Sequence, residues 1–430
     1  MELLEKLEEL ESKKTPIRVG LVGCGQMGSG LMHVTNKMPG LATHIIADID
    51  VDRPLKELKS MGYSETLIRV TNNVNEAEEA IRNNKYVVTE DALMLTKLEN
   101  IDILIEATGN TEIGAQVAWN AIWNKKNIVM LNVETDVTVG LYLSRMAKKT
   151  GCVYTVSAGD EPGVCKGLYD FSRCMGFEVV CLGKGKNNII DYDANPESCR
   201  EEAEKKNMNP KMLASFKDGT KTMVEMAAVS NATGLVPDVP GMHGPKVDID
   251  CLKKVFIPKK DGGIFNKKGC VDFSTGPVAP GVFVIVTTDD EQIQAEMKFL
   301  LMGEGPYYMF LRPFHLTSIE TPLSAAEAVL YGETTVVAKD MVSEVIAIAK
   351  RDLKPGEKIG GIGSADFFNR IYISADARKF KGIPMGIAPN GKPIKEIKKG
   401  DLLTEENFLP DSSTFVYQLW KMQEKMLGNV

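Results

Sequence analysis

The stretch that most restricts what this chain can fold into is GLVGCGQMGSG, residues 20–30. Its glycines at 23, 25 and 28 fit G-x-G-x-x-G, and the flanking residues supply the setting such a loop needs. Residues 17–22, IRVGLV, read as a short buried strand. A helix is expected from about Met27 to Asn36, and ATHIIADI, residues 42–49, reads as a second strand. Strand, glycine turn, helix and strand make one βαβ unit. In such a unit Gly23 permits the tight turn, Gly25 lets the backbone approach a pyrophosphate, and Gly28 lets helix and strand pack closely. The helix start, at Gln26 and Met27, offers free N–H groups and the positive end of the helix dipole to an anion. Asp48 lies 20 residues past Gly28, where a carboxylate can take ribose hydroxyls. Gly23, Gly25, Gln26, Met27, Gly28 and Asp48 are therefore read as binding a nicotinamide dinucleotide, the alternative being a bare structural turn. Asp48 and Asp50 repel a 2′-phosphate and favour NAD, whereas Arg53 is close enough in sequence to hold one. Both cofactor forms stay open on the residues alone.

Helical and extended segments alternate as far as residue 155, with KYVVTE, IDILIEATG, KNIVMLN and CVYTVSA as further strands. That alternation predicts an α/β fold of Rossmann type, a doubly wound parallel sheet. In such a sheet the carboxyl ends of the strands line the ligand crevice. Thr108 and Gly109 of EATGN are expected to face the cofactor, with Asn132 of LNVETD beside the nicotinamide end; the alternative for each is a helix cap and turn. The organisation expected is a helical N-terminal extension over 1–16, a dinucleotide-binding domain over 17–155, an α+β substrate domain over 156–335 and a small β-rich domain over 340–415. The capped helix of residues 320–333 is expected to pack back on the first domain.

With 430 residues the chain is long enough for two or three domains. Its net charge of −7 argues against nucleic acid as a partner. No apolar run approaches the roughly 18 residues that span a bilayer, so no membrane role is expected. The N-terminal stretch is charged throughout, without a signal-peptide core. The eight cysteines form no C-x-x-C pair, so neither a zinc cluster nor a disulfide framework is expected. A cytoplasmic protein with a small-molecule substrate, assembled as a homo-oligomer, is the expectation.

Four polar clusters stand in the second domain. In SAGDEPG, Asp160 and Glu161 are paired carboxylates that either hold a divalent metal, accept a proton, or decorate a solvated turn. In GKGKNN, Lys184 and Lys186 suit phosphate or carboxylate, Asn187 and Asn188 offer donors and acceptors, and either lysine is a candidate proton donor; the alternative is a basic surface hairpin. Lys221 and Glu225 are one helical turn apart, either lining a cleft or forming a plain surface ion pair. The Pro/Gly loop VPDVPGMHGP carries His243, a candidate for phosphate binding or proton transfer. His33, His44 and His315 sit inside helix or strand patterns and are read as structural.

Taken together, VGLVGCGQMGSG, EATGN, GDEPGV, GKGKNN, MNPKMLASFKDGTKTMVEMAA and NATGLVPDVPGMHGP resemble the homoserine-dehydrogenase-like oxidoreductases that carry a C-terminal SAF domain. AIAKRDLKPGEKI and KEIKKGDLLTEENF carry the match to the SAF module, which also occurs in flagellar P-ring chaperones and sialic acid synthases. The blocks are similar to those of the 1-deoxy-D-xylulose 5-phosphate reductoisomerase-like branch. That resemblance implies an isoprenoid-precursor reaction with NADPH at a site built around Asp160, Lys184, Lys186, Lys221, Glu225 and His243. A reductoisomerisation would add Mg or Mn, held by Asp160 and Glu161. The chain departs from true homoserine dehydrogenases, which have Lys after the asparagine where this chain has Val133, and an NGTTN-like loop where it has GKGKNN. The expected function is an NAD(P)-dependent oxidoreductase acting on a small polar, phosphorylated, sugar-like carbonyl or hydroxyl compound. The alternatives are a polyol, tetritol or sugar-acid dehydrogenase using NAD without isomerisation, and a non-catalytic NAD-sensing protein.

Overall fold

In the computed structural model, which describes residues 2–428, the first seven strands form one parallel sheet. They are β1 (Ile17–Val22), β2 (Leu41–Ala47), β3 (Ile68–Val70), β4 (Tyr86–Thr89), β5 (Ile103–Glu106), β6 (Asn127–Met130) and β7 (Tyr154–Val156). Their order is β3-β4-β2-β1-β5-β6-β7, every neighbour parallel. β1 is buried along its length except at Arg18, as expected of a strand covered on both faces. The order reverses between β1 and β5, the switch point beyond which ligands bind in open α/β sheets. The doubly wound sheet expected from the alternation is present.

The chain falls into two compact units. The first comprises Met1–Asp160, Leu316–Val337 and Thr414–Val430; the second comprises Glu161–His315 and Ala338–Ser413. In the first, the helix Gln26–Thr35 follows β1 directly. The helix Thr317–Tyr331 returns to the same unit, with Ala325, Ala326 and Ala328 in its core beside Val19, Leu21 and Leu31. The helix Glu2–Ser12 ends before Pro16 and buries Leu7 in that core.

The second unit is built on a five-stranded mixed sheet of order β12-β11-β8-β10-β9. Its strands are β8 (Glu178–Gly185), β9 (Val236–Pro237), β10 (Cys270–Ser274), β11 (Val282–Thr287) and β12 (Tyr307–Arg312). The helix Thr220–Thr233 is buried apart from Lys221 and Thr233 and stops at Gly234 in the left-handed conformation. The hairpin of β13 (Ser343–Ala349) and β14 (Phe367–Ile373) joins that helix through polar locks. Asn231 Oδ1 accepts from the amides of Val342 and Ser343 at 2.9 Å each, and Asn369 Nδ2 donates to Thr220 Oγ1 at 3.1 Å. Lys350, also buried, pairs with Asp218 at 2.8 Å and donates to the carbonyls of Ala194 and Ser364. Among the described residues no helix is long and apolar enough to cross a membrane.

Candidate active site

Two sets of residues carry chemistry, one in each unit. In the first, Gly23 has φ +94°, and a Cβ there would stand 3.0 Å from the Ala107 carbonyl group. A Cβ on Gly28 would lie 2.0 Å from Gly23 O, so only glycine lets the helix come down on the loop. A Cβ on Gly25 would meet nothing: the backbone there faces open space at the N-cap of a ten-residue helix, and no side chain caps it. Gly25 and Gln26 are exposed and Met27 is half-buried. The first-turn N–H groups have no intrahelical acceptor by helix geometry. Glycine cradle, uncapped helix start and open space together fit a dinucleotide pyrophosphate.

Asp48 is buried at the end of β2, with both carboxylate oxygens in use. Oδ2 accepts from Cys24 N at 2.7 Å, inside the glycine loop, and Oδ1 accepts from Asp50 N at 2.9 Å. Thr108 and Gly109 are exposed beyond β5, beside the glycine loop, and Gly109 adopts φ +66°. Asn132, expected beside the nicotinamide end, is held by the backbone around it. It is 1% exposed; its Oδ1 caps Thr135 N at 3.1 Å and its Nδ2 donates to Asn110 O at 3.0 Å. It braces the loop that carries Thr108. Glu106, which sequence reasoning passed over, does the same from below. It is fully buried, accepts from Thr108 N at 3.0 Å and from the Thr108 hydroxyl, and burial pushes its carboxyl up to about 7.

In the second unit, Lys184 on β8 is buried between two carboxylates, Glu161 and Glu225, and donates to both. Glu161 opens the helix Glu161–Cys174, and Glu225 projects from the helix Thr220–Thr233. Burial alone would discharge this lysine, but the two carboxylates outweigh it and hold the ammonium well above its ordinary range. Burial also opposes charge on Glu161, yet Lys184 and His315 prevail and hold it down at about 2. Burial and the neighbouring Glu161 push Glu225 up to about 7. Lys186, two residues on, is buried with its Nζ donating to Phe216 O at 2.7 Å and Asn188 Oδ1 at 2.9 Å. Burial, then Lys184, lower it to about 8. Asn187 is exposed and Asn188 half-buried.

Around this clamp the structure places the remaining candidate residues. Glu225 takes Lys184 as its ion-pair partner, while Lys221, one turn earlier, acts on it as a neighbouring charge. The glycines of GKGKNN make room for the chain itself. A Cβ on Gly183 would strike the Phe283 ring at 2.4 Å, and one on Gly185 would strike Ala279 N at 2.1 Å. His243 is tied away from the lysine cluster. Its amide donates to Asp272 at 3.0 Å, and its Nε2 lies 2.9 Å from Asp238. Asp272 sits beside Gly183 in the ladder, one register step from Lys184, so its side chain points to the opposite face of the sheet. His315, read as structural within a strand, instead lies in the connection after β12. Its Nδ1 donates to Pro280 O at 2.7 Å and its Nε2 stands 3.5 Å from Glu161 Oε1.

Residues 159–321 match the family described as oxidoreductase DRL, catalytic domain, a span that contains Lys184, Glu161, Glu225 and His315. Homoserine dehydrogenase of Bacillus subtilis (strain 168) is 26% identical over 148 residues, covering 34% of this chain and 31% of that protein. The aligned part therefore spans under a third of the curated relative's length. In these matches the chain is similar to dehydrogenase-like oxidoreductases. Among solved structures, a probable dehydrogenase from Thermotoga maritima aligns with TM-score 0.42 and 13% identity over 74% of this chain and 90% of that one. A homoserine dehydrogenase from Thiobacillus denitrificans aligns with TM-score 0.42 and 13% identity over 90% of this chain and 98% of that one.

For this oxidoreductase-like chain the donor set decides how well a divalent metal fits. Asp160 directly precedes Glu161 along the chain. One oxygen of each carboxylate, Glu161 Oε1 and Glu225 Oε2, accepts from the Lys184 ammonium. A buried ammonium at that point repels a second cation and competes for the same oxygens. Asp160, Glu161 and Glu225 each offer an oxygen within 4.8 Å of the others, a group that could hold a metal ion, and the Lys184 ammonium competes with any such ion for it.

Proposed function

We propose that this chain is an NAD(P)-dependent oxidoreductase that interconverts a carbonyl and a hydroxyl group on a small, polar, anionic, sugar-like substrate. The observation that carries the reading is the buried Lys184 ammonium clamped by Glu161 and Glu225, inside the segment that matches an oxidoreductase catalytic domain. The nicotinamide, when bound by the glycine loop, supplies or accepts the hydride. Gly23, Gly25 and Gly28 would hold its pyrophosphate, Asp48 its ribose, and the Thr108–Gly109 turn would face it. Reduction of a carbonyl builds negative charge on oxygen, and a fixed, preorganised positive charge stabilises it. Lys184 is that charge, because its two carboxylates keep it protonated. Lys186, lowered to about 8, is the better proton donor near neutrality, since general acids work best with a pKa near the operating pH. Asn187 and Asn188 help Lys186 take the substrate anion, and Lys221 adds positive charge one turn from Glu225.

The resemblance of AIAKRDLKPGEKI and KEIKKGDLLTEENF supports reading the 340–415 segment as a SAF module, and homo-oligomeric assembly is part of the same reading; light scattering on purified protein tests the assembly. The clamped ammonium favours a redox step without isomerisation, as in a sugar-acid dehydrogenase, whose substrate is an anion. Similarity to the reductoisomerase-like branch favours the alternative, which needs a metal. The test is absorbance at the reduced-nicotinamide band. NADH and NADPH are offered with 1-deoxy-D-xylulose 5-phosphate, with and without Mg or Mn, and NAD and NADP with a panel of polyols, tetritols and sugar acids. Metal-independent turnover of a panel member is expected. Metal-dependent oxidation of NADPH by the xylulose phosphate would establish reductoisomerisation instead, and cofactor binding with no turnover would establish the sensing reading.

A further inference from the structure

At the end of β2 the charges are arranged in a way the sequence left undecided. Arg53 was a candidate to grip a 2′-phosphate. Its guanidinium instead lies against acid: Nε is 3.1 Å from Asp50 Oδ2 and Nη1 is 3.8 Å from Asp48 Oδ1. Asp48 is itself fixed, with one oxygen on the glycine-loop amide of Cys24 and the other on the amide of Asp50. A carboxylate locked to the loop at the end of the second strand stands where a dinucleotide's ribose is read. Two carboxylates and one guanidinium leave that corner net negative, and the guanidinium is engaged. A ribose with free hydroxyls meets acceptors there; a 2′-phosphate meets like charge.

We infer that Asp50 latches Arg53 and thereby makes the chain select NAD(H) over NADP(H). This rests on the reading that the glycine loop holds a dinucleotide. Asp50 and Arg53 are exposed, and the Asp50 amide that serves Asp48 belongs to the backbone, so replacing either side chain leaves the loop support in place. Asp50→Asn keeps the shape and removes the charge that occupies Arg53, freeing the guanidinium for a phosphate.

The experiment is calorimetric titration of the full chain with NADH and with NADPH, for the wild type, D50N, R53A and D50N/R53A. The wild type is expected to bind NADH about tenfold or more tighter, since like-charge juxtaposition is costly. D50N is expected to tighten NADPH about three- to fivefold, the scale of an exposed ion pair. R53A in the D50N background is expected to abolish that gain. Equal wild-type affinities, an unmoved NADPH/NADH ratio in D50N, or a gain that survives in the double variant would each overturn the latch. If neither nucleotide binds at millimolar concentration, the dinucleotide reading itself fails and the latch with it.

Discussion

Replacing Lys184 by Met keeps most of the stem's bulk and removes the ammonium, leaving Glu161 and Glu225 facing each other in the interior. In the wild type the cluster almost balances. Lys184 and His315, against the opposition of burial, lower Glu161 from 4.5 to about 2, while burial and Glu161 raise Glu225 from 4.5 to about 7. The two displacements act in opposite senses at neutral pH, the lowered Glu161 stabilising and the raised Glu225 destabilising. Such near-cancellation is common for buried ion pairs, whereas breaking one by removing a partner costs about 3–5 kcal/mol. The K184M variant is expected to lose that amount at neutral pH, a fall of roughly 10 °C in the melting temperature of a unit this large. The pH dependence carries the diagnosis. Glu161 in the wild type has a lowered value, so its contribution is present above 4.5 and is lost only as pH falls toward about 2. Without Lys184, burial and mutual repulsion raise both carboxylates, so the penalty is greatest at high pH and is relieved as pH falls through the raised values. Differential scanning calorimetry near pH 7 and near pH 5 on the full chain should therefore show K184M recovering more than the wild type on acidification. The triple variant K184M/E161Q/E225Q should recover stability near pH 7. A K184M protein that melts with the wild type at neutral pH, or whose deficit does not shrink on acidification, would refute the clamped-ammonium account.

The other expectations follow from single contacts. Gly28→Ala places a Cβ 2.0 Å from Gly23 O, so the glycine loop must shift; overpacking of this kind costs about 1–3 kcal/mol, and dinucleotide affinity measured by titration should fall with it. Lys186, lowered to about 8, donates a proton in the reductive direction. That rate should decline as pH rises through about 8 and the oxidative rate should rise there, and Lys186→Met should flatten both profiles with a loss of about 10²–10⁴ in kcat. An unchanged profile in K186M would assign the proton to another group. Removing divalent metal with EDTA should leave turnover intact, because Lys184 already serves one oxygen of Glu161 and one of Glu225; a complete loss restored by Mg or Mn would show that a cation displaces the ammonium.

What the sequence revealed and what it hid divide along a physical line. The glycine loop was legible because its constraints are local. A positive φ at Gly23 and a 2.0 Å approach at Gly28 demand glycine within a span of six residues, and the adjoining strands and helix show in their periodicity. The lysine cluster was legible only in its residue types. Lys184, Glu161 and Glu225 come from a strand and two helices, and the same one-turn spacing that paired Lys221 with Glu225 on paper is outweighed by a lysine 41 residues away in sequence. Helix spacing says which residues share a face but not which face is buried, and here nearly all of Thr220–Thr233 is buried. His315 was missed for the same reason in stronger form. Its partner Glu161 lies far back along the chain, and its one local signal, the Pro313 two residues earlier, marked the end of β12 without saying where the next side chains lead. Asn132 and His243 show the opposite case. Polar residues near turns looked available to ligands, yet the backbone amides and carboxylates around them claim their hydrogen bonds first: Asn132 caps Thr135, and Asp272 pins the His243 loop. A polar residue at a loop is thus a stronger candidate when the structure leaves its donors toward open space, as at Gly25, than when a cap or a buried carboxylate has already taken them.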